Sequence, residues 1–422
     1  MDWMKQVTKR AKDSMRKSSH AQRRSVPVAQ SRSSGPHRTT GTPGTRPSAT
    51  LPPVRVDQIT TQVRALGPQQ SNLPHIYRDG GGGGTVGGQD VIIFADSTYT
   101  KGPPPTESSR IVGFVSNSIA VIGPSSAAAG AADAIERVTD FGTLDKGPDQ
   151  AIPFLGKDGE SPLNNGIWPN QNMASLLDHS GHSVAFPEVI DRNLFREQKE
   201  ALLYNTAIEI RLQGGRPTVT RTQKSLFVSG EPMFGSFAAY AATKTATNPG
   251  TDGYLYLFAR VSETGRAQSN GLKLARVKSP AWADRTHYEY WDGRQFGRQM
   301  PALDDGGTAN VFHYSQEAFG KEYGPGSGDV FWSPVYKEYL LLFQNAAAAL
   351  DNSVYLSHSP SLTGGWSEPT SIYKLPRASD GFSYAFHAYP NMDPTGRAVP
   401  ITWTKDSKSQ SCFIDTAEIL FT

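Results

Sequence analysis

Three acidic residues stand where a carboxyl group could do chemistry. Asp96 ends an apolar run, Asp329 opens an aromatic segment, and Glu231 precedes a Pro-Met-Phe sequence. Hydrolysis of a glycosidic bond needs two carboxyl groups, one protonated to release the leaving group and one ionised as nucleophile or base. Repulsion between two such groups raises the pKa of one of them, as this chemistry requires. We therefore predict Asp96 as a catalytic carboxylate, with Asp329 or Glu231 as the second.

A second set of residues has the chemistry to hold a sugar. Flat aromatic rings stack on the apolar faces of sugars, while polar side chains meet the hydroxyl groups. The same aromatic residues also fill protein cores, so both interpretations stay open for them. The predicted substrate-binding residues are Trp168, Glu188, Tyr290, Trp291, Trp332 and His387.

The elements that position these residues are clearest in the segment 328–374. Residues 329–336 are aromatic and β-branched, Lys337-Glu338 makes a turn, and residues 339–343 return as a wholly apolar strand. Two further strands are predicted at 353–358 and 370–374. An apolar strand must be covered on both faces, which is typical of one sheet in a stack of sheets.

The same unit occurs upstream, so the chain contains a repeat. Residues 254–258 and 272–280 match 339–343 and the strand that ends at Pro360, at an offset of about eighty residues. Further strands at 91–99, 111–122, 207–212, 225–228 and 384–422 bring the count to five sheets, the third beginning at Glu231. We predict an all-β fold, a five-bladed β-propeller of four-stranded antiparallel blades over residues 61–422. The first strand of each blade then lines a central channel, which is where the carboxylates and His387 would lie.

Charge is unevenly distributed along the chain. The net charge is +3, but the first fifty residues hold eleven Lys or Arg and two Asp, so this part carries +9 and the rest −6. Residues 1–60 are predicted to be a disordered basic tail. Residues 1–17 could form a basic amphipathic helix that contacts an anionic membrane, binds a calmodulin-like partner or directs targeting, or could be a frayed terminus. A nucleic-acid partner would depend on this tail alone, and none is expected.

Other patterns exclude several classes of site. The five-glycine run 80–84 is not followed by the Lys-Ser/Thr of a phosphate loop, and we predict a surface loop there. His179 and His182 lack matching ligands, so neither a metal nor a cofactor is expected. Cys412 is the only cysteine, and no signal peptide or membrane span is recognisable. The compartment stays open, with an intracellular location slightly favoured, and the protein is expected to be a monomer.

From residue 91 onwards the chain contains the short motifs Phe94-Ala-Asp-Ser97, Ile167-Trp-Pro169, Gly253-Tyr-Leu-Tyr-Leu-Phe258, Tyr288-Glu-Tyr-Trp-Asp-Gly293, Gly365-Trp-Ser367 and Tyr384-Ala-Phe-His-Ala-Tyr-Pro390. Together these motifs resemble the DUF4185 family. That family consists of five-bladed propellers and includes glycoside hydrolases that act on D-arabinan. The resemblance of this chain to the family implies an arabinanase-like hydrolase with a polysaccharide or oligosaccharide substrate. The alternative is a noncatalytic glycan- or protein-binding propeller. The chain differs from the family pattern at Asp329, where a glutamate is expected, and over 153–192.

Overall fold

The fold is almost entirely β-structure. The computed structural model describes residues 59–102, 111–123, 134–178, 180–261, 271–318, 321–407 and 412–422, with the backbone alone at 318, 321 and 322. Within these ranges the chain forms eight β-sheets, one α-helix, α1 (Arg192–Arg196), and short 3-10 turns. The predicted all-β class is confirmed. The described part of the chain has no helix long and apolar enough to span a membrane. The predicted tail lies outside these residues.

The first large sheet contains the glycine run as a buried strand. Its order is β2-β9-β8-β5-β4, while β3-β6-β7 and β10-β11 form two small sheets. The surface loop predicted for 80–84 is wrong, because Gly81–Gly84 are buried in β4 and pair with β5. The predicted strand 91–99 is divided, with Asp96 between β5 and β6. The strands of this region are β1 (Thr61–Pro68), β2 (Gln70–Ser71), β3 (Ile76–Arg78), β4 (Gly81–Val86), β5 (Gln89–Phe94), β6 (Ser97–Thr100), β7 (Ile111–Val115), β8 (Ser118–Ile122), β9 (Arg137–Asp140), β10 (Gly142–Thr143) and β11 (Gly147–Pro148).

The second large sheet is built around one long hairpin. Strands β16 and β17 pair along most of their length, and Gly214-Gly215 turns the chain between them with φ of 58° and 79°, which only glycine adopts readily. The predicted strands 207–212 and 225–228 thus lie in one hairpin. The sheet order is β12-β15-β16-β14-β13, with β17 on β16. Its strands are β12 (Asn165–Trp168), β13 (Ala174–Ser175), β14 (Ser183–Ala185), β15 (Glu188–Asp191), β16 (Leu202–Gln213) and β17 (Arg216–Val228).

The third and fourth large sheets carry the predicted repeat. Their orders are β18-β19-β20-β21-β22, with β23 on β20, and β26-β27-β28-β29; β24 and β25 form a small hairpin. The repeated segments are β19 with β20 and β27 with β28, as predicted. The third sheet begins at Ala238 rather than at Glu231. The strands are β18 (Ala238–Tyr240), β19 (Tyr254–Arg260), β20 (Gly271–Lys278), β21 (Glu289–Trp291), β22 (Phe296–Gly297), β23 (Asn310–His313), β24 (Gln316–Ala318), β25 (Lys321–Tyr323), β26 (Pro325–Ser333), β27 (Glu338–Asn345), β28 (Ser353–Ser359) and β29 (Thr370–Lys374).

The fifth large sheet joins the two ends of the described chain. Its strands β30 (Ser383–Ala388), β31 (Ala398–Lys405) and β32 (Phe413–Phe421) are followed by β1, which pairs antiparallel with β32. N-terminal sequence therefore completes the C-terminal sheet. Pairing β1 with β32 covers an edge strand that would otherwise be open to another chain.

Apolar clusters fill the spaces between successive sheets. In β27, Leu340 and Leu342 pack toward the fifth sheet, while Leu341 and Phe343 pack toward the third. Side chains alternate across a strand, so an all-apolar strand needs two covered faces. Other clusters lie between the first and second and the second and third sheets. A further cluster joins the fifth sheet to the first through residues such as Tyr389 and Phe94.

Glycine is required in β4 because neighbouring chain segments occupy the space of its side chains. A Cβ on Gly82 would lie 1.7 Å from the carbonyl oxygen of Gln171, and one on Gly83 would lie 2.5 Å from the Tyr389 ring. We expect Gly82→Ala to lower the melting temperature by several degrees, since overpacking costs about 1–3 kcal/mol or more. The matched control is Gly297→Ala in β22, where a Cβ meets nothing within 4 Å. Equal melting temperatures for both variants would contradict this packing.

Candidate functional site

Two aspartates meet at one edge of the first sheet. Asp79 immediately precedes Gly80 at the start of β4, and Asp96 follows the end of β5. Because the two strands are antiparallel, these ends lie side by side. The Asp79 N–H donates to the Asp96 carbonyl oxygen at 3.0 Å, and the Ala95 N–H donates to the Asp79 carbonyl oxygen at 3.1 Å. The hairpin thus sets the spacing of the two residues.

A buried ion pair anchors the chain just before Asp79. Arg78 Nη1 and Nη2 donate to the two carboxylate oxygens of Asp140 at 2.7 and 2.8 Å. Arg78 and Asp140 are 5% and 3% exposed, and the Arg78 guanidinium carbon lies 3.7 Å from the centre of the Phe94 ring. Removing either partner would leave an unpaired buried charge. The pair therefore fixes the direction from which the chain reaches Asp79.

Asp79 has the electrostatics of a proton carrier. Burial of its carboxyl group raises the pKa from 3.8 to about 7, and repulsion from Asp96 and Asp406 adds to the increase. The hydroxyl of Tyr384 donates to Asp79 Oδ1 and acts in the opposite direction, lowering the pKa. A carboxyl group with such a pKa holds its proton for part of the time near neutral pH. Sequence reasoning missed this residue.

A strained residue of the fifth sheet places Tyr384 against Asp79. Ala385 has φ of 52°, in the left-handed region, at a register shift of the β30–β31 ladder. Its Cβ lies 2.5 Å from the position that a Cβ on Gly80 would occupy, so Gly80 has no room for a side chain. Such strain costs on the order of 1–3 kcal/mol and occurs often at functional sites. Here it accompanies the turn that directs the Tyr384 hydroxyl to Asp79.

Asp96 is held by residues of the second sheet. Arg192 Nη1 donates to Asp96 Oδ2 at 2.9 Å and Arg192 Nη2 to Oδ1 at 2.6 Å, while Trp168 Nε1 donates to Oδ1 at 3.2 Å. The side chain of Asp96 stays 20% exposed. Arg192 also donates to the Asn165 carbonyl oxygen and to Ser116 Oγ, so its guanidinium group is held rigidly. The structure thus brings Trp168 and Asp96 together.

Asp329 and His387 form a separate buried pair. They lie on β26 and β30, the first strands of the fourth and fifth sheets, as predicted. His387 Nδ1 is 3.3 Å from Asp329 Oδ2, which also accepts from the Ala388 N–H at 2.7 Å. The two residues are 2% and 0% exposed. Asp329 therefore has its hydrogen bonds within this pair of strands, and no described hydrogen bond or ion pair links it to Asp96.

The two predicted glutamates do not lie on first strands. Glu188 begins β15, the second strand of its sheet, and its carboxylate pairs with Arg260. Glu231 follows β17 in a turn, seven residues before β18, where it pairs with Arg285 at 2.7 Å. Both glutamates were predicted on or beside first strands. The prediction is wrong because a neighbouring proline, Pro187 or Pro232, marks the start of a strand only approximately. Among the described contacts, none joins Glu231 to Asp96.

The remaining aromatic candidates lie away from the two aspartates. Tyr290 is 4% exposed in the core between the second and third sheets, and Trp291 packs on Phe296; both belong to β21, an outer strand. Trp332 is near the C-terminal end of β26 and contacts Tyr339, with ring centres 5.0 Å apart. Residue type alone could not separate core aromatics from site aromatics. Their role in substrate binding stays a prediction.

The sequence does contain a signal that could have located Asp79. Gly87-Gly88 has φ of 54° and 83°, the geometry of a two-residue hairpin turn. Two glycines before the apolar strand β5 therefore indicate a hairpin whose other arm is the glycine run. Asp79 then falls at the strand end opposite Asp96. No comparable signal marks Arg192, which reaches Asp96 from another sheet.

Metal ligands are not clustered in the described chain. Among those residues, no group of three or more His, Cys, Asp or Glu side chains is placed to hold a metal ion. His182 Nδ1 lies 2.9 Å from Glu209 Oε1, and His179 is outside the described residues.

Comparison with solved structures supports the fold. A protein of Bacteroides ovatus provisionally assigned as a hydrolase aligns with a TM-score of 0.51 and 15% identity, covering 84% of this chain and 87% of its own. At this identity, the likeness concerns the fold alone. An exo-β-1,3-galactanase from Phanerochaete chrysosporium solved with β-1,3-galactotriose aligns at a TM-score of 0.47 and 12% identity, over 85% of this chain and 64% of its own. A GH43_1 enzyme from Xanthomonas citri aligns at a TM-score of 0.39 and 11% identity, over 84% of this chain and 90% of its own. These two likenesses are too weak to inform on function.

No family model matches the chain, and neither does any curated protein. The resemblance to DUF4185 therefore stays a prediction.

The raised pKa of Asp79 predicts a pH-dependent stability difference. Because the folded pKa of about 7 exceeds the ordinary 3.8, Asp79 favours the folded state fully below pH 3.8 and loses this contribution as the pH rises to about 7. We expect the stability of Asp79→Asn relative to the unmutated protein to rise by roughly 1.4 kcal/mol per pH unit across this window. Urea unfolding of both proteins between pH 4 and 8 measures it. A difference that is constant with pH would show that Asp79 titrates normally.

Proposed function

We propose that the protein is a glycan-acting hydrolase in which Asp79 and Asp96 are the two carboxyl groups at the reacting bond. One observation carries the proposal: a partly exposed aspartate with a pKa of about 7 lies beside a second aspartate held in an ion pair with Arg192. Glycoside hydrolysis needs this division between a carboxyl that keeps its proton and one that is ionised. Asp79 thereby replaces Asp329 and Glu231 as the partner of Asp96.

Asp79 is suited to act as the general acid. Near neutral pH it holds a proton that it can donate to the oxygen of the leaving sugar, and Tyr384 fixes the orientation of its carboxyl group.

Asp96 is suited to act on the attacking water. A carboxylate oxygen accepts about two hydrogen bonds. Oδ1 already accepts from Arg192 and Trp168, whereas Oδ2 accepts only from Arg192 among the described residues. One lone pair of Oδ2 is therefore available to take a proton from water, and the side chain reaches solvent. Arg192 and Trp168 act as positioning residues.

The proposal also includes a five-bladed propeller as the architecture and a glycan as the partner. The five large sheets would be the blades of a five-bladed propeller, supported by the apolar clusters between successive sheets and by the contact of the fifth sheet with the first. The substrate would be a polysaccharide or oligosaccharide, arabinan-like if the resemblance to DUF4185 holds. The monomeric state and the lack of a cofactor are further predictions.

A noncatalytic glycan- or protein-binding role is the second candidate. It is favoured by the ion pair itself, because an aspartate bound at two points by arginine can be wholly structural. Under this alternative, substitution of Asp79 would alter stability but no reaction would be found.

Hydrolysis of a panel of polysaccharides, followed by detection of new reducing ends, tests the proposal. We expect Asp79→Asn and Asp96→Asn to reduce the rate by roughly a hundred- to ten-thousandfold, the usual range for an acid or base. Glu231→Gln is the matched control, since it neutralises another arginine-paired carboxylate, and should keep its activity. Asp96→Asn should also lower the melting temperature because it leaves Arg192 without its ion pair. Full activity of Asp79→Asn, or binding without cleavage, would favour the second candidate.

The pH dependence of kcat/KM gives an independent test. Asp79 must be protonated to act as an acid, so the rate should fall as the pH rises through about 7. Tyr384→Phe removes a hydrogen bond that lowers the pKa of Asp79, so the alkaline decline should move to higher pH. A decline that stays at the same pH in Tyr384→Phe would exclude Asp79 as the titrating acid.

A further inference from the structure

We propose that the open face of the small sheet β3-β6-β7 is a subsite that binds one sugar unit of a neutral glycan by stacking on Phe114. This subsite rests on the proposed function and adds to it the place where the part of the glycan next to the cleaved bond is held.

The small sheet is continuous with both proposed catalytic residues. Strand β3 ends at Arg78, directly before Asp79, and β6 begins at Ser97, directly after Asp96. β3 and β7 pair with the two sides of β6. A ligand that rests on this sheet is therefore held at a defined position relative to the two carboxyl groups.

One face of the small sheet is open, and it carries two aromatic residues. Tyr77, Thr98 and Phe114 are aligned in register across the three strands, so their side chains share a face. Phe114 is 46% exposed. On the other face, Arg78, Ser97 and Tyr99 are buried.

The back of the sheet is covered by the β10–β11 hairpin. The Tyr99 hydroxyl donates to the Leu144 carbonyl oxygen at 2.8 Å, and a Cβ on Gly113 would lie 2.3 Å from the Lys146 carbonyl oxygen. The sheet is thus supported from behind and presents Phe114 at its front.

Phe114 lies one side chain away from Asp96. The guanidinium carbon of Arg192 is 5.2 Å from the centre of the Phe114 ring, and the same group forms the ion pair with Asp96. Single exposed apolar residues are common and need no function. Phe114 differs from the other large exposed hydrophobic residues of the described chain in being aromatic and in contacting this arginine; the others are Ile111, Leu144, Leu163 and Val228.

The chemistry of this face selects its ligand. An exposed ring binds the C–H face of a sugar, and the Thr98 hydroxyl can donate to or accept from a sugar hydroxyl. The charge of Arg192 is compensated by Asp96, so this arginine does not favour an acidic sugar over a neutral one. The ligand is therefore a neutral glycan with at least one unit beyond the cleaved bond.

Affinity electrophoresis in gels that contain arabinan, galactan or xylan tests the subsite without requiring cleavage. We expect Phe114→Ala to weaken binding of the most retarding polysaccharide about three- to tenfold, the usual worth of one aromatic stacking contact. Phe114→Tyr, which keeps the ring, should restore binding. Leu144→Ala removes another exposed apolar side chain, at the back of the small sheet, and should bind like the unmutated protein. If the polysaccharide is cleaved, Phe114→Ala should raise KM with little change in kcat.

The outcomes separate the subsite from the proposed hydrolysis. If the unmutated protein binds, Phe114→Ala binds less and no polysaccharide is cleaved, the subsite stands and the hydrolase proposal fails. If cleavage occurs and Phe114→Ala has unchanged affinity and KM, the subsite is overturned while the hydrolase proposal stands. If none of the three polysaccharides retards the unmutated protein, the subsite is overturned. The melting temperature of Phe114→Ala should match that of the unmutated protein, because the side chain is exposed.

Discussion

The absence of side chains along β4 is the constraint on which the rest of the structure depends. Gly82 and Gly84 lie against residues 171–173, between β12 and β13 of the second sheet, while Gly83 lies against Tyr389, directly after β30 of the fifth sheet. Buried backbone must find hydrogen bonds of its own. Asn172 supplies some of them, since its Oδ1 accepts from the Gly83 N–H at 2.8 Å and its Nδ2 donates to the Ala388 carbonyl oxygen. The first, second and fifth sheets thereby meet with almost no space between their backbones.

This close approach determines the chemistry of Asp79. A carboxyl group at the end of such a strand has little contact with water, so its charged form is disfavoured. Arg78 and Asp140 compensate each other one residue earlier, and Tyr384 is the neutral partner that reaches Asp79 itself. The site thus keeps a fully paired charge beside a carboxyl group that takes up a proton easily. That asymmetry is what a pair of catalytic carboxyl groups requires.

Sequence patterns predicted the parts of the fold that are governed by apolar periodicity. The fourth sheet and the repeated strands β19 and β27 follow from runs that need two covered faces. The glycine run was mispredicted because glycine carries no periodic signal, and its burial depends on Gln171 and Tyr389, which are distant in sequence. Asp96 and Trp168 were selected and do lie in contact. Asp79 was missed because burial of its carboxyl group, the main cause of its raised pKa, leaves no pattern in the sequence.

The spacing of Asp79 and Asp96 and the contacts to their carboxyl groups depend on different parts of the fold. Asp79 and Asp96 belong to one hairpin, so their spacing is local and survives small movements of the sheets. The residues that contact their carboxyl groups are not local, because Tyr384 comes from the fifth sheet, Trp168 from the second and Arg192 from the start of α1. The fifth sheet is held in place by β1 on β32 and by the apolar cluster around Tyr389. Loosening the fifth sheet would therefore change the proton affinity of Asp79 before it changed the distance from Asp79 to Asp96. The stability of the fold and the acidity of Asp79 are thus coupled through the junction of the first and fifth sheets.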